Sequence, residues 1–115
     1  MPFIRVLTSQ TLTAAAQQAL REAVLDAVSL LHKPRAHAMA LIADAQALAR
    51  GDGDAPCAFC EAQVFGAPEP ADCDRFAQAL SAAIARIAQV APENVYLSVG
   101  ALPRCYTGGC LPPGH

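Results

Sequence analysis

The 115-residue chain contains no tryptophan, and aromatic residues make up only 5% of it. Any pocket it forms therefore has little flat aromatic surface. Charge is also sparse: charged residues account for 16%, with a formal net charge of -2. The few Lys and Arg are scattered, so there is no basic footprint for a phosphate backbone, and nucleic acid is excluded as an expected partner. Hydrophobic residues reach 54%, yet no apolar run approaches the roughly 18 to 20 residues of a membrane span. The start of the chain lacks the basic and apolar regions of a secretory signal, so the expected compartment is the cytoplasm. There the five cysteines, an odd number, read as mostly reduced thiols. The length fits a single domain with one real core.

What is present begins at position two. Pro2 follows the initiator methionine and opens Phe3-Ile4-Arg5-Val6-Leu7, which reads as a buried strand. If Met1 is removed, Pro2 becomes a secondary amine held in a ring and pinned by a strand. The ordinary α-amino pKa is only about 7.7–8.0, and burial or a neighbouring cation lowers it further by disfavouring the charged form. Such an amine is a rigid base able to take a proton from carbon at neutral pH. Against this stands the plain alternative that proline after methionine merely permits processing.

The chain divides into two similar halves of about 57 residues, each strand, helix, strand. The first half runs from Phe3–Leu7 through a helix from about Thr13 to Leu31 to the apolar run Ala38–Ala43. In the second half, Ala58–Phe65 leads through a helix from about Asp72 to Ala88 to Val95–Val99. Leu20, Val24, Val28 and Leu31, like Phe76, Leu80, Ile84 and Ile87, recur at spacings of three and four, giving each helix one apolar stripe. Thr13 and Asp72 or Asp74 are expected N-caps, Pro34 and Pro92 are expected to stop the helices, and Gly51-Asp52-Gly53-Asp54 joins the halves. Arg21, Glu22, Asp26, Arg75 and Arg86 read as a solvated face. Two such units give an α/β fold: a doubled β-α-β arrangement with a four-stranded sheet and both helices on one face. A strand as apolar as Ala38–Ala43 implies burial on both faces, so the second face calls for a partner and the chain for an oligomer.

Met1-Pro2, Lys33-Pro34, Pro56-Cys57-Ala58-x-Cys60, Gly66 and Pro92-x-x-Val95-Tyr96 together resemble the tautomerase superfamily, in the subgroup of macrophage migration inhibitory factor and D-dopachrome tautomerase. The landmarks are individually weak, but they are collinear over nearly the whole chain. The resemblance implies one domain over residues 1–115, with halves at about 1–50 and 55–101 and a C-terminal tail, assembled as a homotrimer. It implies enol-keto tautomerisation of 2-oxo acids such as phenylpyruvate, with no cofactor and no metal. Pro2 carries over as general base, and Lys33 as the cation on the substrate's carboxylate or carbonyl oxygen. Phe65 takes the position whose backbone N–H binds substrate oxygen. Tyr96 and Ser98 take pocket positions supplied by the adjacent subunit. His37 stands where the family has a pocket tyrosine, Gly109 where it has tryptophan and Gly114 where it has phenylalanine, which puts the substrate's identity in question. The tail Leu111-Pro112-Pro113-Gly114-His115 is not expected to pack as the family's does.

Other readings remain beside this one. Non-classical secretion and a protein-binding or signalling role, with the pocket vestigial, also follow from the resemblance. Cys57-Ala58-Phe59-Cys60 has redox spacing, but a redox pair opens a helix, and on a strand residues three apart point to opposite faces. Cys57, Cys60, Cys105 and Cys110 can be written as a zinc set, against which the same geometry speaks. Lys33 can be an ordinary helix-end cation, His37 a surface histidine, and Arg104 either a second carboxylate anchor or an exposed loop arginine.

Overall fold

The computed structural model describes residues 2–110. Strand β1 (Pro2–Thr8) leads to helix α1 (Ala14–Ala27) and returns as β2 (Met39–Ala43), while β3 (Ala58–Phe65), α2 (Pro70–Ala88) and β4 (Val95–Leu102) repeat the pattern. The sheet order is β2-β1-β3-β4. Within each half the two strands are parallel, and β1 and β3 join the halves antiparallel. This is the expected doubled unit.

Alternation along β1 and β3 decides where the core lies. Ile4, Val6, Cys60, Ala62 and Val64 are fully buried against Leu20, Val24, Phe76, Leu80 and Ile84 of the two helices. Burying each such aliphatic side chain stabilises the fold by roughly 1.5–3 kcal/mol. The intervening residues point away from the helices, and that second face is open within one chain. Met39 is 69% and Leu41 46% exposed on the edge strand β2, where the sequence implies burial on both faces; one chain cannot supply the cover.

The helices end where expected, near Leu31 and at Ala88, but what caps and stops them differs. Thr13 is the N-cap of α1, its hydroxyl accepting from the Ala16 N–H at 3.1 Å, an arrangement worth about 1 kcal/mol. However, α1 ends at Ala27 and continues as a 3-10 turn, Val28–Leu31. It terminates not at Pro34 but at His32, whose φ of 58° is left-handed. The His32 N–H bonds the Ser29 carbonyl and the Lys33 N–H that of Val28, the bonding of a Schellman cap. Similarly, α2 ends at left-handed Gln89 (φ 57°) with the Val90 N–H on the Ala85 carbonyl, before Pro92 is reached. Its start is Pro70, well suited to a first helical position; Asp72 lies inside the first turn rather than capping it.

Among the described residues, no helix is long and apolar enough to cross a membrane.

Candidate active site

Register places one group of site residues at one end of the sheet. Pro2 is buried at the start of β1 and opposite Val64, so Phe65 is the next residue along β3. Phe65 pairs with Leu102, and the Gly66 N–H donates to the Leu102 carbonyl at 3.1 Å, where a φ of 91° requires glycine. At the same end Phe3 pairs with Met39, the first residue of β2. The segment 32–38 therefore delivers Lys33 and His37 toward the Pro2 end. A contact across the helices fixes it there: His32 Nε2 lies 3.2 Å from Asp72 Oδ2, and Asp72 is in the first turn of α2, which springs from the Phe65 end of β3.

Lys33 is the only lysine in the chain. It is half-buried, and no carboxylate among the described residues pairs with its ammonium. A cation left free in this way is available to an anionic ligand. His37 is exposed at the end of a 3-10 turn, its N–H on the Pro34 carbonyl. Arg35, in the same turn, pairs with Glu22 and Asp26 of α1. These two carboxylates, read from sequence as a merely solvated face, thus brace the segment.

Tyr96 and Ser98 lie elsewhere. Tyr96 pairs with Phe59, and Phe59 with Leu7, five residues along β1 from Pro2. At 3.3 Å per residue that is roughly 17 Å. Ser98 pairs with Glu61 at mid-sheet, opposite Arg5. Both side chains lie on the open face, and a single chain does not bring either of them to Pro2.

The Tyr96 end holds a cavity of about 410 Å³ lined by Leu7, Leu48, Arg50, Cys57, Asn94 and Tyr96, among others. The Arg50 guanidinium stands 5.5 Å from the centre of the Tyr96 ring and donates to the Glu93 carbonyl and to Asn94 Oδ1, each at 3.1 Å. Sequence reading missed this cation, because Arg50 and Tyr96 meet only through the fold. Arg5 pairs with Glu61 at 3.0 Å on the open face, and its Nε is buried without a partner among the described residues.

The cysteines are poorly placed for redox work. Cys60 is fully buried in the core; burial, and secondarily the Glu61 carboxylate, push its thiol pKa up from 9.0 to about 12. Cys57 is buried and its thiol reaches the Leu48 carbonyl at 3.3 Å. A redox thiolate needs the opposite, a lowered pKa with access. Among the described residues, no three His, Cys, Asp or Glu side chains gather into a set that could hold a metal ion. Gly109 sits in a tight turn closed by Thr107 and Cys110, with φ 83°; Arg104 is exposed. Met1, Gly114 and the rest of the tail lie outside the described residues.

Residues 1–108 match the family model described as macrophage migration inhibitory factor (MIF). No curated protein sequence matches the chain at a significant level. Among solved structures, the fold is similar to that of Leishmania major MIF2, at a TM-score of 0.89 and 21% identity over 96% of this chain and 97% of the other. Macrophage migration inhibitory factor from Toxoplasma gondii is similar at a TM-score of 0.76 and 25% identity, over 87% and 89%. A fused 4-OT, described as a symmetric trimer, matches at a TM-score of 0.78 and 22% identity, over 89% and 86%.

Proposed function

The chain belongs to the macrophage migration inhibitory factor family, whose fold is that of the tautomerase superfamily, and from that premise we propose that it is an enol-keto tautomerase of 2-oxo acids. The observation that carries the reading is the meeting of Pro2, the Lys33 segment and the Phe65 backbone at one end of the sheet. With Met1 removed, the Pro2 nitrogen accepts the enol hydroxyl proton and returns a proton to carbon 3 of the acid; the reverse reaction takes the proton from carbon and returns it to oxygen. Lys33 holds the carboxylate or the developing enolate oxygen, and the Phe65 N–H is the second donor. Stabilising that oxyanion with fixed donors is where an enzyme of this kind lowers its barrier most, and a nearby cation also keeps the Pro2 amine unprotonated.

A site that includes Tyr96 and Ser98 needs a second subunit, because within one chain they stand too far from Pro2. We read the protein as a homotrimer in which the open sheet face is covered and a neighbour's Tyr96 closes the pocket. That wall carries Arg50 against the tyrosine ring, and Gly109 supplies no aromatic surface. The far end of the preferred substrate is therefore polar or bulky rather than a simple phenyl group. The same lack of aromatic wall supports the second reading, a protein-binding or signalling module with a vestigial pocket.

The test is the intact mass of the purified protein together with a phenylpyruvate enol-keto assay on the same sample. Turnover by protein that has lost Met1, and its loss on Pro2 replacement, is the expected result. No turnover by Met1-free protein, with a specific protein partner that survives Pro2 replacement, overturns the enzyme reading in favour of the second. The expected compartment remains the cytoplasm.

A further inference from the structure

We propose that Asp72 is a positioning residue that acts through His32 to fix Lys33 for its substrate. This rests on the preceding assignment of Lys33 as the anion-binding cation. Lys33 follows a residue in left-handed conformation, His32 at φ 58°. Histidine is among the few side chains enriched there, but a non-glycine residue keeps such a conformation only where its surroundings impose it. The two Schellman bonds impose it on the backbone, and Asp72 adds a tether on the side chain: its carboxylate, on a side chain only 11% exposed, is shared between Arg75 and the imidazole of His32.

The fold contains its own control. Gln89 ends α2 with the same left-handed cap, yet its side chain makes no hydrogen bond among the described residues. The cap therefore forms without a carboxylate on its side chain, and the added contact is confined to the half that carries Lys33. As an energy term it is small, since the His32 side chain is 77% exposed and exposed pairs contribute little to stability. Its consequence is geometric. A rotation at residue 32 swings the long Lys33 side chain, whereas Arg35, tied to Glu22 and Asp26, holds the chain two residues further on.

Because Lys33 is the sole lysine, lysine labelled at its side-chain carbons and nitrogen gives one assignable signal. Its shift on titration with phenylpyruvate reads Kd, and turnover of the same acid reads KM and kcat. Asp72→Ala and His32→Asn should each raise Kd and KM about three- to tenfold, with kcat changed less, since small misplacements weaken binding without removing the base. The double variant should be no worse than either single one. Asp72→Asn, whose amide oxygen can take the place of Oδ2 beside the imidazole, should recover most of the affinity, and Arg75→Ala should leave it near wild type. The surface variant His32→Asn keeps the test valid if Asp72→Ala fails to fold. Unchanged Kd and KM in the folded variants, additive losses in the double variant, or an equal loss in Arg75→Ala would each overturn the proposal. A wild type that binds the acid at Lys33 without turning it over defeats the tautomerase reading alone, and Kd then decides the role of Asp72. Absence of any binding at Lys33 defeats both.

Discussion

Tyr96 and Pro2 stand at opposite ends of one sheet, separated through the Tyr96, Phe59 and Leu7 pairings by five residues of β1. If both line one pocket, two copies of the chain must build it. Light scattering is accordingly expected to give three times the 11.9 kDa chain mass. Leu41→Glu, a charge on the half-exposed β2 edge, should dissociate the assembly and abolish turnover together. A stable, active monomer at micromolar concentration would contradict this arrangement.

Removal of Met1 should be a condition of activity. While it is attached the Pro2 nitrogen is an amide and cannot accept a proton. A retained extra N-terminal residue, or Pro2→Ala with its looser primary amine, should lower turnover by about 10²- to 10⁴-fold, the range of general-base catalysis, with the fold intact by circular dichroism. Undiminished turnover in protein whose intact mass includes Met1 would remove Pro2 from the mechanism.

Lys33→Ala should weaken 2-oxo acid binding or lower kcat, and should also raise the apparent pKa of the free-enzyme base. The sign follows from the lost positive charge: without it, the protonated amine is less disfavoured. The pH profile of kcat/KM checks this. An unchanged profile with unchanged kinetics would return Lys33 to the role of a helix-end charge.

Phenylpyruvate should be turned over measurably but modestly, with better use of an acid that is bulkier or more polar at its far end. Arg50→Ala should narrow that preference, because it removes the cation lying on the Tyr96 ring. Gly109→Trp should improve phenylpyruvate binding by adding aromatic surface, although φ 83° at this position strains any side chain and moderates the gain. Efficient wild-type turnover of phenylpyruvate that the tryptophan abolishes would show that this turn does not form the pocket wall.

Stability should fall at high pH through Cys60. Below its ordinary pKa of 9.0 the thiol keeps its proton in both folded and unfolded chains, so its contribution is constant. Between 9.0 and the folded value of about 12, the unfolded chain gives up the proton while the folded one retains it, and stability declines as pH rises. The slope is at most about 1.4 kcal/mol per pH unit. Urea unfolding at pH 8 and 10 should show a steeper decline for wild type than for Cys60→Ala, and folded protein should resist thiol alkylation at Cys60. Rapid alkylation there near neutral pH would reopen the redox reading of the Cys57–Cys60 pair.

The repeat of strand, helix and strand was legible in the sequence because each half writes its own periodicity: three and four along the helices, and alternation along β3 from Ala58 to Phe65. Thr13 could be read as a cap for the same reason, since its partner Ala16 is three residues away. Pro2 stands out in the sequence by its place beside Met1, whereas Lys33 is singled out only by the family resemblance, its local reading being a helix-end cation. The expected ends at Leu31 and Ala88 hold, but the stop signals are the left-handed caps at His32 and Gln89 rather than Pro34 and Pro92, and neither residue is the glycine that usually announces such a cap. Tertiary structure alone decided the contacts between distant residues. His32 meets Asp72 across two helices, Arg50 meets Tyr96 across the join of the halves, and Tyr96 is set apart from Pro2 by register. Sequence spacing encodes which face of an element a side chain occupies, but the approach of separate elements depends on how their buried faces pack, and no local pattern records it.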